Sequence, residues 1–135
     1  KDFTKIIHKF VEANKDNADL KEQLETLAAL NKEWGDITMQ IGMKAMQNPD
    51  EVGAAAVDYL YFSGYVTLAY FWARMAILAQ EKLAEGSTET AFYNAKITTA
   101  RFYFSKILPR VKSHVAVIAS GVAPLMTLAA DDFII

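Results

Sequence analysis

Apolar residues recur along the chain at α-helical spacing, and no strand-like alternation with hairpin turns appears. Phe3, Ile6, Ile7, Phe10 and Val11 give a helix from about Asp2 to Lys15 one apolar face. Asn14-Lys15-Asp16-Asn17 ends it, because such side chains compete for backbone hydrogen bonds. A second helix is predicted from near Asp19 to near Gln47, carried by Leu20, Leu24, Leu27, Trp34, Ile41 and Ala45. Lys21 to Glu25 and Lys32 to Asp36 form i, i+4 pairs on its wet side. Asn48-Pro49-Asp50-Glu51 reads as a helix start, with a capping Asn, a proline at the first position and acids beside the positive dipole end.

The third helix then runs to about Glu85 and stops at Gly86. A fourth, capped by Ser87 or Thr88, keeps its period from Tyr93 through Ile118 and ends near Gly121, with a kink or break expected near Ser105 to Leu108 because Pro109 lies one turn beyond. Ala123 to Ile135 is a mostly apolar tail with no helix of its own predicted. Short connections predict an all-α fold: an antiparallel up-down bundle of three long helices plus a shorter N-terminal helix, one domain over residues 1–135.

The third helix breaks the amphipathic rule. Tyr61, Tyr65, Leu68, Trp72 and Met75 make one apolar stripe; Leu60, Gly64, Phe71 and Leu78 make a second; Tyr59, Phe62, Val66, Tyr70, Ala73 and Ile77 make a third. A helix that is apolar all round is buried on every side, yet a small bundle leaves each helix one wet face. Either its neighbours wrap it completely, or something outside the chain covers it. The second is the expectation, with Tyr61, Tyr65, Trp72 and Met75 as the candidate docking surface. The fifteen uncharged residues from Tyr59 to Ala73 are too few for a membrane span, which needs about 20.

Asp58 and Arg74 are the charges in the middle of this helix, and they fall on nearly opposite faces. Antiparallel folding at Gly86 brings Asp58 near His114 or Lys112. Folding at Asn48 brings Arg74 near Glu22 and Glu25. These are the candidate buried polar pairings, since a charge near a core needs a partner.

Charge and composition narrow the function. A net charge of -2 offers no basic surplus for a nucleic acid. With no cysteine, thiolate metal sites and disulfides are excluded, and the composition fits a reducing, cytoplasmic compartment. The two histidines, His8 and His114, stand in neither an H-E-x-x-H nor an E-x-x-H motif, and no P-loop, G-x-G-x-x-G or G-x-S-x-G is present. No catalytic, cofactor-binding or metal-ligating residue is assigned. Lys96, Thr99, Tyr103, Lys106 and Arg110 share one face of the fourth helix and would suit an acidic surface or an acyl-CoA phosphate, but a solvated face is the preferred reading. A weaker idea is an acyl-chain pocket lined by Phe62, Phe71 and Met75.

Two segments carry a family likeness. The first holds Asp58-Tyr59-Leu60, Gly64-Tyr65-Val66-Thr67-Leu68-Ala69-Tyr70 and Trp72-Ala73-Arg74-Met75-Ala76; the second runs Phe92-Tyr93-Asn94-Ala95-Lys96-Ile97-Thr98-Thr99-Ala100-Arg101-Phe102-Tyr103-Phe104 and closes with Ile107-Leu108-Pro109. Together they resemble the extra C-terminal domain of large bacterial acyl-CoA dehydrogenases, the group that includes the 3-methylmercaptopropionyl-CoA dehydrogenases. The resemblance implies a parent flavoprotein of fatty acid metabolism that oxidises acyl-CoA to 2,3-enoyl-CoA with FAD. It also implies that the flavin, the cleft and the catalytic carboxylate belong to an upstream core. This chain would then be an accessory piece whose partners are that core and a second subunit of a homo-oligomer. The chain opens in helix with no initiator Met, which fits an excised part. A free-standing module for a partner helix or a membrane surface is the competing reading.

Overall fold

A computed structural model describes residues 2–122 and 132. Among them are α1 (Asp2–Ala13), α2 (Lys21–Gln47), α3 (Asp50–Ala84), α4 (Thr90–Phe102) and α5 (Val111–Ser120), with no strand. The tail expectation for Ala123 to Ile135 lies outside the described residues, apart from Asp132.

The predicted interruption is present and takes two forms in succession. Tyr103–Ile107 widens into a π-turn, in which Leu108 N–H donates to the Tyr103 carbonyl, and Leu108–Arg110 tightens into a 3-10 turn around Pro109. Proline has no N–H and clashes with the carbonyl one turn back; one wide turn and one tight turn absorb both defects without breaking the rod.

Most element ends follow their local chemistry. Asn48 Oδ1 accepts the Asp50 N–H at 3.1 Å, and Pro49 stands just outside the helix with helical dihedrals. At the other end of α3, Gly86 takes φ +86°, its N–H reaches the Leu83 carbonyl, and Ser87 N–H reaches the Lys82 carbonyl. This is the Schellman closure that favours glycine. Ser87 Oγ then accepts the Glu89 N–H, and α4 begins one residue later.

Helix α3 is the spine, packed against α2 on one side and against α4 and α5 on the other. Bonding partners on α2 fall in number as those on α3 rise: Asn17, just before α2, meets Gln80, while Trp34 and Thr38 meet Tyr59. On the other side Tyr103 meets Tyr65, His114 meets Asp58 and Val122 meets Glu51. Both seams are antiparallel. Helix α1 lies along α2, held by the Asn31 amide on the Thr4 carbonyl at 2.9 Å, and its Phe3 and Phe10 rings meet Tyr70 of α3 edge-on. The main core joins Ile7, Leu27, Ile37, Phe62, Val66, Leu108 and Ile118 across α1, α2, α3, the 3-10 turn and α5, and a second cluster ties Ala100 of α4 to Leu24, Ala76 and Ile77.

Candidate functional site

The surface of α3 divides into sectors. Phe62, Val66, Ala69, Tyr70, Ala73 and Ala76 are buried against its neighbours. The opposite sector is open: Leu60 is 71% exposed, Leu68 51%, Phe71 43% and Leu78 51%. Gly64 lies between Leu60 and Leu68 on this stripe with no atom near enough to contact an added Cβ. From Leu60 to Leu78 the stripe covers about 27 Å of helix at 1.5 Å per residue. Isolated exposed apolar side chains are ordinary; a row of them along one helix face makes this the candidate docking surface.

The four residues expected to dock divide. Tyr61 is exposed and Met75 is partly exposed. Tyr65 and Trp72 are also partly exposed, and each packs toward α4 and α5 with the rest of its ring. The Tyr65 carbonyl accepts the Tyr103 hydroxyl at 2.7 Å and its ring lies against His114, while Trp72 packs on both core clusters beneath Lys96. The apolar outer face therefore centres on Leu60, Gly64, Leu68, Phe71 and Leu78.

The polar pairings also divide. His114 Nδ1 lies 2.8 Å from Asp58 Oδ1, with side-chain exposures of 19% and 22%. A carboxylate offers only acceptors, so Nδ1 carries the hydrogen. The imidazole stacks on Tyr61 at 5.2 Å and 9° and tilts against Tyr65. Asp58, Tyr61 and Tyr65 sit at i, i+3 and i+7 on α3, so one face of the helix supplies the whole nest. Lys112, the alternative partner for Asp58, is exposed. Arg74 forms no ion pair with Glu22 or Glu25 among the described residues, contrary to expectation. Its guanidinium carbon stands 5.6 Å from the centre of the Tyr70 ring, it shares an open groove with Phe10 and Asn14, and Glu25 pairs with Lys21 instead. The physical reason is the position of α1, which faces this stretch of α3. The sequence left open whether the short helix joins the bundle or packs across one end of the others, and so did not show this.

The suggested acyl pocket does not assemble. Phe62 is fully buried in the core, whereas Phe71 and Met75 line a separate open groove of about 530 Å³ beside Arg74. Nor does the polar face of the fourth helix hold together: Tyr103 is buried, while Thr99, Lys106 and Arg110 face solvent. Burial pushes the Tyr103 phenol well above its ordinary range, and the neighbouring Tyr65 adds to the shift. Among the described residues no three His, Asp or Glu side chains gather as metal ligands, and no helix is long and apolar enough to cross a membrane.

What the geometry offers is a braced helical unit with an uncovered apolar face. A comparison with curated proteins returned no match. The family model described as acetyl-CoA dehydrogenase C-terminal like matches residues 3–129, nearly the whole chain, and the chain belongs to that family.

Proposed function

We propose that the chain is the C-terminal accessory domain of an FAD-dependent acyl-CoA dehydrogenase, and that it contributes packing, stability or oligomerisation rather than catalysis. The outer face of α3 carries this reading. Leu60, Leu68, Phe71 and Leu78 are each about half exposed or more, and covering each would contribute on the order of 1 kcal/mol. A surface of that kind suits the flank of a larger enzyme. The parent oxidises an acyl-CoA to the 2,3-enoyl-CoA, with flavin and base supplied by the core; family membership supports this. The partner is that core or a second subunit, in a cytoplasmic homo-oligomer.

The test takes the whole parent chain. Purified parent should carry FAD and reduce it on adding acyl-CoA. A Leu68→Glu, Phe71→Glu double variant should keep its helical content but lose thermal stability or its oligomeric state. A parent without flavin, or a double variant indistinguishable from wild type, would count against the proposal and favour a free-standing module.

A further inference from the structure

Helix α1 fills only half of a longer trough. Phe3 meets Trp34 of α2 and Tyr70 of α3, Phe10 meets Tyr70 and packs on the cluster that holds Leu24 and Ile77, and Asn14, just past α1, shares a groove with Ile77 and Glu81. On α3 this seat follows Tyr70, Arg74, Ile77 and Glu81 at steps of three and four. The same helical row continues toward the start of α3 through Ser63, Tyr59, Ala56 and Val52. Those four, with Thr38 and Ile41 of α2, line an open, largely apolar groove of about 620 Å³. The groove therefore continues the line of the α1 seat toward the start of α3. Its floor is already braced, since Tyr59 Oη meets Thr38 Oγ at 2.6 Å and Trp34 Nε1 at 3.2 Å. The Ser63 hydroxyl is buried there with no hydrogen-bond partner.

We infer that this groove is the seat of the segment leading into α1 in the parent chain, so that α1 is the second half of a longer helix. This rests on the proposed reading, in which a dehydrogenase core precedes the domain. Continuity with the α1 interface singles out this occupant, because a helix extended upstream from Asp2 enters the groove without turning. From Val52 to Ser63 the groove spans about 16 Å of α3, or three helical turns. The segment then needs apolar residues roughly four, seven and eleven places before Phe3, continuing the row of Phe3, Ile7 and Phe10, and no helix-breaking proline among them. It would form a stiff rod between core and domain, fixing the direction from which the core approaches the outer face of α3.

The chain has no cysteine, so a single introduced thiol reports one place. Ala56→Cys is placed in the 135-residue chain, in a version extended by about twenty of the parent's preceding residues (enough for the groove at 1.5 Å per residue), and in the whole parent. Maleimide labelling at that position is followed by peptide mass spectrometry and normalised to the urea-unfolded protein. Labelling should be at least tenfold slower in the extended chain and in the parent than in the 135-residue chain, at every protein concentration. Equal rates in all three would overturn the inference. Protection that needs the entire core would assign the groove to the body of the core and also overturn it. Protection of the 135-residue chain that grows with concentration would assign it to a second copy, with the same consequence. A parent lacking flavin would sink the proposed function without changing the labelling ratio, so the two failures are distinguishable.

Discussion

His114 of α5 holds Asp58 of α3 at 2.8 Å while its ring lies flat on Tyr61, so one imidazole joins two helices by a hydrogen bond and a stack. The two contacts separate by mutation. Asp58→Ala removes the acceptor and should cost about 1 kcal/mol, the usual net value of such a bond at a partly exposed site. His114→Phe keeps a flat ring for Tyr61 and strands the carboxylate instead. A double-mutant cycle by urea unfolding should give a coupling of roughly 0.5–1.5 kcal/mol; a cycle that closes at zero would show that the pair contributes nothing.

Arg74→Ala should be nearly silent. The side chain is exposed, and its contact with the Tyr70 ring is worth about 0.5 kcal/mol at such a site. Glu22→Ala and Glu25→Ala should not change that result. A loss of several kcal/mol in thermal or urea melts would mean that Arg74 has a buried ionic partner.

The hydroxyl of Tyr103 donates to the Tyr65 carbonyl within the π-turn, and Tyr103→Phe should cost about 1 kcal/mol. Its pH signature is specific. Burial raises the phenol's folded pKa above the unfolded value of about 10. Above that pH the unfolded chain binds fewer protons than the folded one, so stability falls as pH rises toward the folded pKa. The full contribution is present below pH of about 10. Urea midpoints measured from neutral to strongly alkaline pH should show a steep alkaline decline in wild type and a shallower one in Tyr103→Phe. Parallel curves would contradict the assignment.

Two glycines hold left-handed turns under different constraints. Gly86, at φ +86°, has open space where a Cβ would go, so Gly86→Ala should cost about 1 kcal/mol of backbone strain. Gly121, at φ +70°, would place a Cβ 3.1 Å from Glu51 Oε2, the atom that accepts the Val122 N–H. Gly121→Ala should therefore lower the melting temperature further than Gly86→Ala. The reverse order would mean that the Glu51 contact does not tie α5 to the start of α3.

The helices were legible because their signals are local. Periodicity, Asn48-Pro49, Gly86 and Pro109 each act within one turn, and the observed ends fall within a few residues of those expected. Asp58 with His114 was also legible, because antiparallel register follows from the turn at Gly86. The failures share a cause. Where α1 lies depends on how three helices meet, and no local signal encodes that. Arg74 consequently found an aromatic face and an open groove rather than the expected glutamates. Tyr65 and Trp72 lie half in and half out, because a stripe drawn at helical spacing does not say which sector the neighbours occupy. The sectors of α3 became distinguishable only when α2, α4 and α5 were in place.

The account stands on the outer face of α3 being covered in the parent enzyme. Hydroxyl-radical footprinting reads this directly, as the oxidation rates of Leu60, Leu68, Phe71 and Leu78 in the 135-residue chain and in the intact parent. The account predicts strong protection of all four in the parent, with exposed Met39 on α2 oxidised freely in the isolated chain as a reference. Equal oxidation of the four in both proteins would contradict it.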